Sequence, residues 1–214
     1  MDELVQITLL SLSISGLATA ISLLIGLPLG TLLALSVFRS RGLILSVVNT
    51  GMALPPVVAG LVIAMMLWRS GPLGDLGLIY TPTAIVLAEV VIATPVILGL
   101  AAAGIGQLDP RLLLQLRGLG ASRLQTVGWL WREARLSLLA ALMAGFGSVI
   151  SEVGAAMMVG GNISGQTRVL TTAIVLYVGR GDFDTAIKIG GILLFLAFVV
   201  NGILTWAQQS GSRQ

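Results

Sequence analysis

Long apolar runs separated by short polar segments dominate this chain. Five such runs, at about 7–38, 43–68, 83–106, 136–159 and 187–206, each have the length of a helix that crosses ~30 Å of hydrocarbon. The first is longer than a crossing needs, and Gly26-Leu27-Pro28-Leu29-Gly30 interrupts it. That predicts a tilt or a kink. The second carries Leu54-Pro55-Pro56 and is predicted to break or bend near mid-membrane. Carbonyls freed by a broken helix are tolerated only inside protein or beside a water-filled path. A kink packed against a neighbouring helix would satisfy the same sequence.

Residues 107–135 are long for a connection between adjacent helices, and local signals give them structure. Asp109-Pro110 reads as an N-cap followed by proline at the first helical position. A short helix then runs to about Arg117, and Gly118-Leu119-Gly120 ends it. Ser122 starts a second helix, with Gln125 completing a capping box. Leu124, Val127 and Trp131 share one predicted face. The pattern describes a helix-turn-helix at the membrane surface, apolar on one side and rich in arginine. It suits an interfacial helix pair and a docking element for a soluble partner equally well.

Composition agrees with a membrane protein. Hydrophobic residues make up 56% of the 214 and charged residues 10%, with mean hydropathy +1.01; soluble domains are about 25% charged. Asp2 and Glu3 stand where a signal peptide would be basic, so a cleaved signal is not expected. The chain lacks Cys and His, which excludes disulfides, thiol nucleophiles and Cys/His metal sites. The nine acids are scattered, and the basic residues form no aromatic-interleaved patch of the kind that binds nucleic acid.

Arg39, Arg41, Arg111, Arg117, Arg123, Arg132, Arg135 and Arg213 fall on one side of the five spans. Arg69, Arg168, Arg180 and Lys188 fall on the other. Eight basic residues against four make the first side cytoplasmic, with the N-terminus outside and the C-terminus inside. No internal repeat is visible, and residues 7–206 read as a single transmembrane domain.

Three stretches carry a family resemblance. Arg117-Gly118-Leu119-Gly120-Ala121-Ser122 resembles the coupling-helix signature of ABC importer permeases. Leu114-Gln115-Leu116 occupies the Glu-Ala-Ala positions of that signature, so its glutamate is missing. Leu130-Trp131-Arg132-Glu133-Ala134-Arg135 stands where the later Leu-Pro would be. Residues 146–163, FGSVISEVGAAMMVGGNI, and 69–82, RSGPLGDLGLIYTP, resemble permeases of tungstate importers, relatives of the molybdate and sulfate permeases. Those relatives carry a Gly-Glu-Phe-Gly-like run at Ser151-Glu152-Val153-Gly154.

The resemblance implies an all-α, polytopic protein with five transmembrane helices and a type I ABC importer permease fold. It further implies a homodimer, two cytoplasmic ATP-binding subunits and an extracytoplasmic anion-binding protein. This chain would then hold no cofactor, ATP and Mg being bound by the partner subunits. Residues 117–122 would couple to the ATPase.

The residues themselves add candidates for the path or gate. Glu152 and Glu89 are intramembrane acids, which are rarely idle. A carboxylate repels an anion, so Glu152 is expected to brace the loop Gly160-Gly161-Asn162-Ile163-Ser164-Gly165 or a neighbouring helix end. The resemblance implies that Ser151, Glu152 and Gly154 lie in the dimer core near the gate, and the segment on to Gly160, Gly161 and Asn162 is the expected gate region. Hydroxyls of Ser151, Thr171 and Thr172 are expected along the route. Thr167 is a predicted cap of a short helix whose first turn, carrying Arg168, would favour anions. A stand-alone secondary transporter or channel is the rival class; it often shows inverted repeats and ion-pairing charges in several spans. An intramembrane enzyme would lack its usual catalytic residues.

Overall fold

The structure is a computed structural model that describes residues 2–36 and 39–211. Val37 and Phe38, at the end of the first expected span, and Arg213, in the orientation argument, lie outside the described residues. Described in chain order, the helices are α1 (Asp2–Leu35), α2 (Arg41–Met52), α3 (Pro56–Leu67), α4 (Pro82–Gly106) and α5 (Pro110–Gly118), then α6 (Arg123–Glu133), α7 (Arg135–Ile150), α8 (Gly154–Gly160), α9 (Leu170–Gly179) and α10 (Phe183–Gly211). A short 3₁₀ turn at Gly74–Leu76 lies between α3 and α4. No strand occurs among the described residues.

Stretches of α1, α4 and α10 are individually long and apolar enough to cross a membrane. The other two expected spans are assembled from shorter pieces. Helices α2 and α3 have 12 residues each and meet at 96°, so each extends only about 18 Å. Pro55 and Pro56 cause the break. Neither can donate a backbone hydrogen bond, and Val58 and Ala59 restart the ladder on the Pro55 carbonyl.

Residues 136–159, expected as one helix, also divide. Helix α7 stops at Ile150, and α8 begins at Gly154 after a three-residue break at 151–153. At its other end α7 turns by 75° from α6.

The first span differs from expectation in the opposite sense. Gly26-Leu27-Pro28-Leu29-Gly30 does not interrupt α1, which runs through Pro28 unbroken. The two glycines, four residues apart, lie on the face packed against α4. A Cβ at Gly30 would sit 2.7 Å from the Leu98 carbonyl oxygen, and one at Gly26 3.1 Å from Ile97 Cγ2. This is the small-xxx-small solution to close helix approach in a membrane. The Thr94 hydroxyl bonds Ser22 Oγ at 3.2 Å, and Ser22 Oγ reaches the Val90 carbonyl at 3.4 Å.

The main buried cluster joins α1, α3, α4 and α8 through residues such as Ala18, Ala59, Ala84, Ala88 and Ala155. A smaller one joins Ile7 to Leu170, Ala173 and Ile189. Helix α10 leaves most of its apolar surface uncovered, with Phe198 78% exposed, as a lipid-facing helix does.

Candidate functional site

The connection between α4 and α7 forms as its sequence dictates. Asp109 Oδ1 accepts the Arg111 N–H at 2.8 Å and starts α5. Ser122 Oγ accepts from Gln125 N at 3.3 Å, and Gln125 Oε1 accepts from Ser122 N at 2.8 Å, completing the capping box that starts α6. Between them Gly120 takes φ +76°, a left-handed conformation that glycine adopts without steric cost. Arg117, Gly118, Leu119, Gly120 and Ser122 are exposed and Ala121 is half-buried.

The packed face of α6 is not the one expected. Leu124 is 85% exposed. Thr126, Leu130 and the following Ala134, at helical spacing of four, turn inward instead, with Val127 and Trp131 half-buried. Leu124 joins Leu119, 84% exposed, and Leu114 on the outer surface. Trp131 Nε1 donates to Thr31 Oγ1 of α1 at 2.9 Å. That link joins residues far apart in sequence, and the α6 pattern gave no sign of it.

The second candidate region surrounds the break between α7 and α8. Glu152 is 8% exposed, and its Oε1 accepts the Ala155 N–H at 2.9 Å. The side chain therefore holds the first turn of α8, where a carboxylate also meets the positive end of the helix. The Glu152 carbonyl accepts the Thr171 hydroxyl at 2.7 Å, tying the break to α9. Gly154 lies against the Val57 side chain, and a Cβ at Gly60 would be 2.6 Å from Ala155 Cα. The starts of α3 and α8 are thus in tight contact.

Glu152 braces a helix end, and other residues hold the loop 160–165. Thr167 Oγ1 donates to the Gly160 carbonyl at 2.5 Å and accepts from Ile163 N at 3.0 Å. Asn162, at φ +53°, donates from Nδ2 to the Thr172 carbonyl at 3.2 Å. Gly160 packs on Ile85, and Gly161, at φ +70°, on the Tyr80 ring. Tyr80 N donates to the Val159 carbonyl at 2.8 Å.

The start of α9 also departs from expectation. Its N-cap is Val169, not Thr167. The Val169 N–H bonds Thr172 Oγ1 at 3.1 Å, and the Leu170 N–H bonds Ser11 Oγ of α1 at 2.8 Å. Arg168 is paired with Glu3 at 2.9 Å. The Val169 and Leu170 N–H groups are thus bonded within the chain, and Arg168 pairs with Glu3 through one terminal nitrogen while its Nε is buried without a partner. Thr171 and Thr172 are buried; the Thr172 hydroxyl donates to the Val169 carbonyl at 3.1 Å. Ser151 is exposed, with its hydroxyl on the Gly147 carbonyl at 2.8 Å.

Among the described residues no group of three or more acidic side chains could hold a metal ion.

Comparison with known proteins fits this architecture. The chain is 38% identical, over 97% of its length and 91% of the relative's, to the tungstate uptake system permease protein TupB of Peptoclostridium acidaminophilum. It is 38% identical to a probable anion ABC transporter permease protein of Haloferax volcanii, over 94% of this chain and 88% of that one. The molybdenum transport system permease ModB of Azotobacter vinelandii is more distant, at 28% over 89% of this chain and 88% of that one. Among solved structures, an inward-facing MetNI methionine ABC transporter superposes with a TM-score of 0.81 at 20% identity, covering 99% of this chain and 97% of that one. That likeness establishes a type I ABC importer permease fold. The family described as binding-protein-dependent transport system inner membrane component matches residues 26–210. The chain belongs to that family, as a membrane-embedded permease subunit of an ABC transporter rather than an enzyme.

Proposed function

We propose that this permease subunit moves tungstate inward, as a homodimer served by two cytoplasmic ATP-binding subunits and an extracytoplasmic anion-binding protein. The observation that carries the reading is the 38% identity to a tungstate uptake permease across 97% of the chain. The α5–α6 pair supports the partnership. It offers exposed Leu114, Leu119 and Leu124 together with exposed Arg117 and Arg123, a mix of apolar and basic side chains that suits a soluble ATPase. Residues 117–122 are the proposed coupling turn, and ATP and Mg belong to that partner. The chain acts as a single transmembrane domain over 7–206.

The excess of basic residues supports an orientation with α5 and α6 in the cytoplasm and the N-terminus outside the inner membrane. In the single chain Ser151 is exposed beside the break. It and the loop 160–162 are the proposed path and gate elements, completed by the second copy. Glu152, Gly154, Thr171 and Thr172 shape that gate from behind.

Reconstitution with the ATPase and receptor tests the reading. Tungstate-loaded receptor is expected to stimulate ATP hydrolysis and uptake. Stimulation by molybdate or sulfate alone would reassign the substrate. Failure to co-purify with any ATPase would overturn the importer assignment. A cysteine introduced at position 117 should be protected from an impermeant reagent outside intact cells, and labelling there would invert the topology.

A further inference from the structure

Glu89, on α4, is 3% exposed, and nothing in the proposed transport path uses it. Its Oε2 is buried without a hydrogen-bond partner, while Ser15 of α1 is its hydrogen-bonding neighbour. Glu152 is the charged residue that acts on it. Both carboxylates line one small cavity together with Ser11, Ser15 and Thr171, and its volume is about 10 Å³. That is room for about one water-sized particle.

The hydrogen bonds around this cavity fix its polarity. The Ser11 hydroxyl donates to the Ile7 carbonyl at 2.8 Å, and the Thr171 hydroxyl donates to the Glu152 carbonyl at 2.7 Å. Their protons are engaged elsewhere, and Ser11 Oγ also accepts the Leu170 N–H, so what these oxygens have left for the cavity is lone pairs. Two carboxylates complete the lining, and the lining includes no basic side chain.

The surrounding helices supply no counter-charge. Helix α4 carries Glu89 alone, and α8 and α9 carry no charged residue. On α7 the charged residue is Arg135, exposed at its first position. On α1 Glu3 is engaged by Arg168, and on α10 Asp184 and Lys188 are exposed. A cavity lined by acceptors, with one oxygen lacking any donor, is unfavourable when empty and repels anions.

We propose that this cavity is a monovalent-cation site beside Glu152, holding either one sodium ion or one proton carried by Glu89 on its Oε2. Glu152 already has the Ala155 N–H, so a single cation completes the set by meeting Glu89 Oε2. Bound there, it fastens α1, α4, α9 and the break at 151–153 to one another.

The test uses the full chain in lipid nanodiscs, with thermal unfolding followed in sodium chloride against choline chloride at constant ionic strength, and again from mildly acidic to mildly alkaline pH. A melting temperature that rises with the logarithm of sodium concentration identifies sodium. A rise on acidification without a sodium effect identifies the proton. Either dependence must be lost in Glu89→Gln, which keeps the shape but not the charge. Ser15→Ala, which removes one lining oxygen and leaves both carboxylates, must shift the midpoint of the dependence, and it serves where Glu89→Gln does not fold. A wild-type melting temperature indifferent to both sodium and pH overturns the proposal. So does a dependence that either variant leaves unchanged.

Discussion

Replacing Glu152 separates its shape from its charge. Glu152→Ala removes the acceptor of the Ala155 N–H at the start of a seven-residue helix. Loss of an N-cap costs about 0.5–2 kcal/mol, and a buried donor left without a partner costs about 1–3 kcal/mol. These describe the same bond from two sides and do not add, so about 1–3 kcal/mol is expected. Glu152→Gln keeps an Oε1 that accepts the same N–H. It gives up the attraction between a carboxylate and the helix end, about 0.3–1 kcal/mol, and leaves Glu89 as the one carboxylate lining the cavity. The alanine variant is therefore expected to lose stability and uptake together, and the glutamine variant to keep most of both. Unfolding of the purified protein and receptor-stimulated uptake in vesicles are the two measurements. An alanine variant as stable as the parent would refute the capping role. A folded glutamine variant without uptake would show that transport needs the charge itself.

Three other substitutions probe the frame around this junction. Gly30→Val forces a branched side chain onto the Leu98 carbonyl, which a Cβ alone would already approach to 2.7 Å; a cost of about 1–3 kcal/mol is expected, read as a lower unfolding midpoint. Gly120→Glu meets open space within the chain, so insertion should survive. Its left-handed backbone and added charge at an exposed turn should instead weaken ATPase docking, measured by co-purification; normal assembly and transport would show that this turn is not the coupling element. Trp131→Phe keeps the ring but loses the bond to Thr31, so it should cost about 1 kcal/mol of stability and lower the uptake per ATP hydrolysed.

Local signals were legible in the sequence because local bonds satisfy them. Asp109 and the pair Ser122 and Gln125 cap their helices with partners two or three residues away, and Pro55-Pro56 break a helix wherever they stand. What escaped the sequence depends on distant partners. Nothing within 136–159 resembles a breaker as strong as proline, yet the helix ends at Ile150, where Glu152 starts α8 and Thr171 holds its carbonyl. Thr167 and Arg168 looked available as a cap and an anion ligand, but they are taken by Gly160 and Glu3. Gly26 and Gly30 read as an interruption because glycine weakens an isolated helix. Against α4 the missing Cβ is what allows the contact. The exposed Leu124 shows the same limit, because apolar spacing marks a face without naming what covers it.

Helix α1 makes these distant contacts mechanically continuous. Near its C-terminal end Thr31 receives the Trp131 indole of α6, so α6 is tied to α1 directly. Gly30, Gly26 and Ser22 then hold α1 against α4, which makes the two helices one body over that length. Ser15 and Ser11 face the cavity shared by Glu89 and Glu152, and Ser11 also receives the first N–H of α9. At its N-terminal end Glu3 holds Arg168 and Ser164 of the loop after α8. One 34-residue helix, roughly 50 Å long at 1.5 Å per residue, thus touches α6, the buried acids and the loop after α8 in turn. Contiguous packed elements with two discrete arrangements are one way to carry coupling over such distances. The breaks at 53–55 and 151–153 meet where α3 touches α8, while α1 beside them is unbroken.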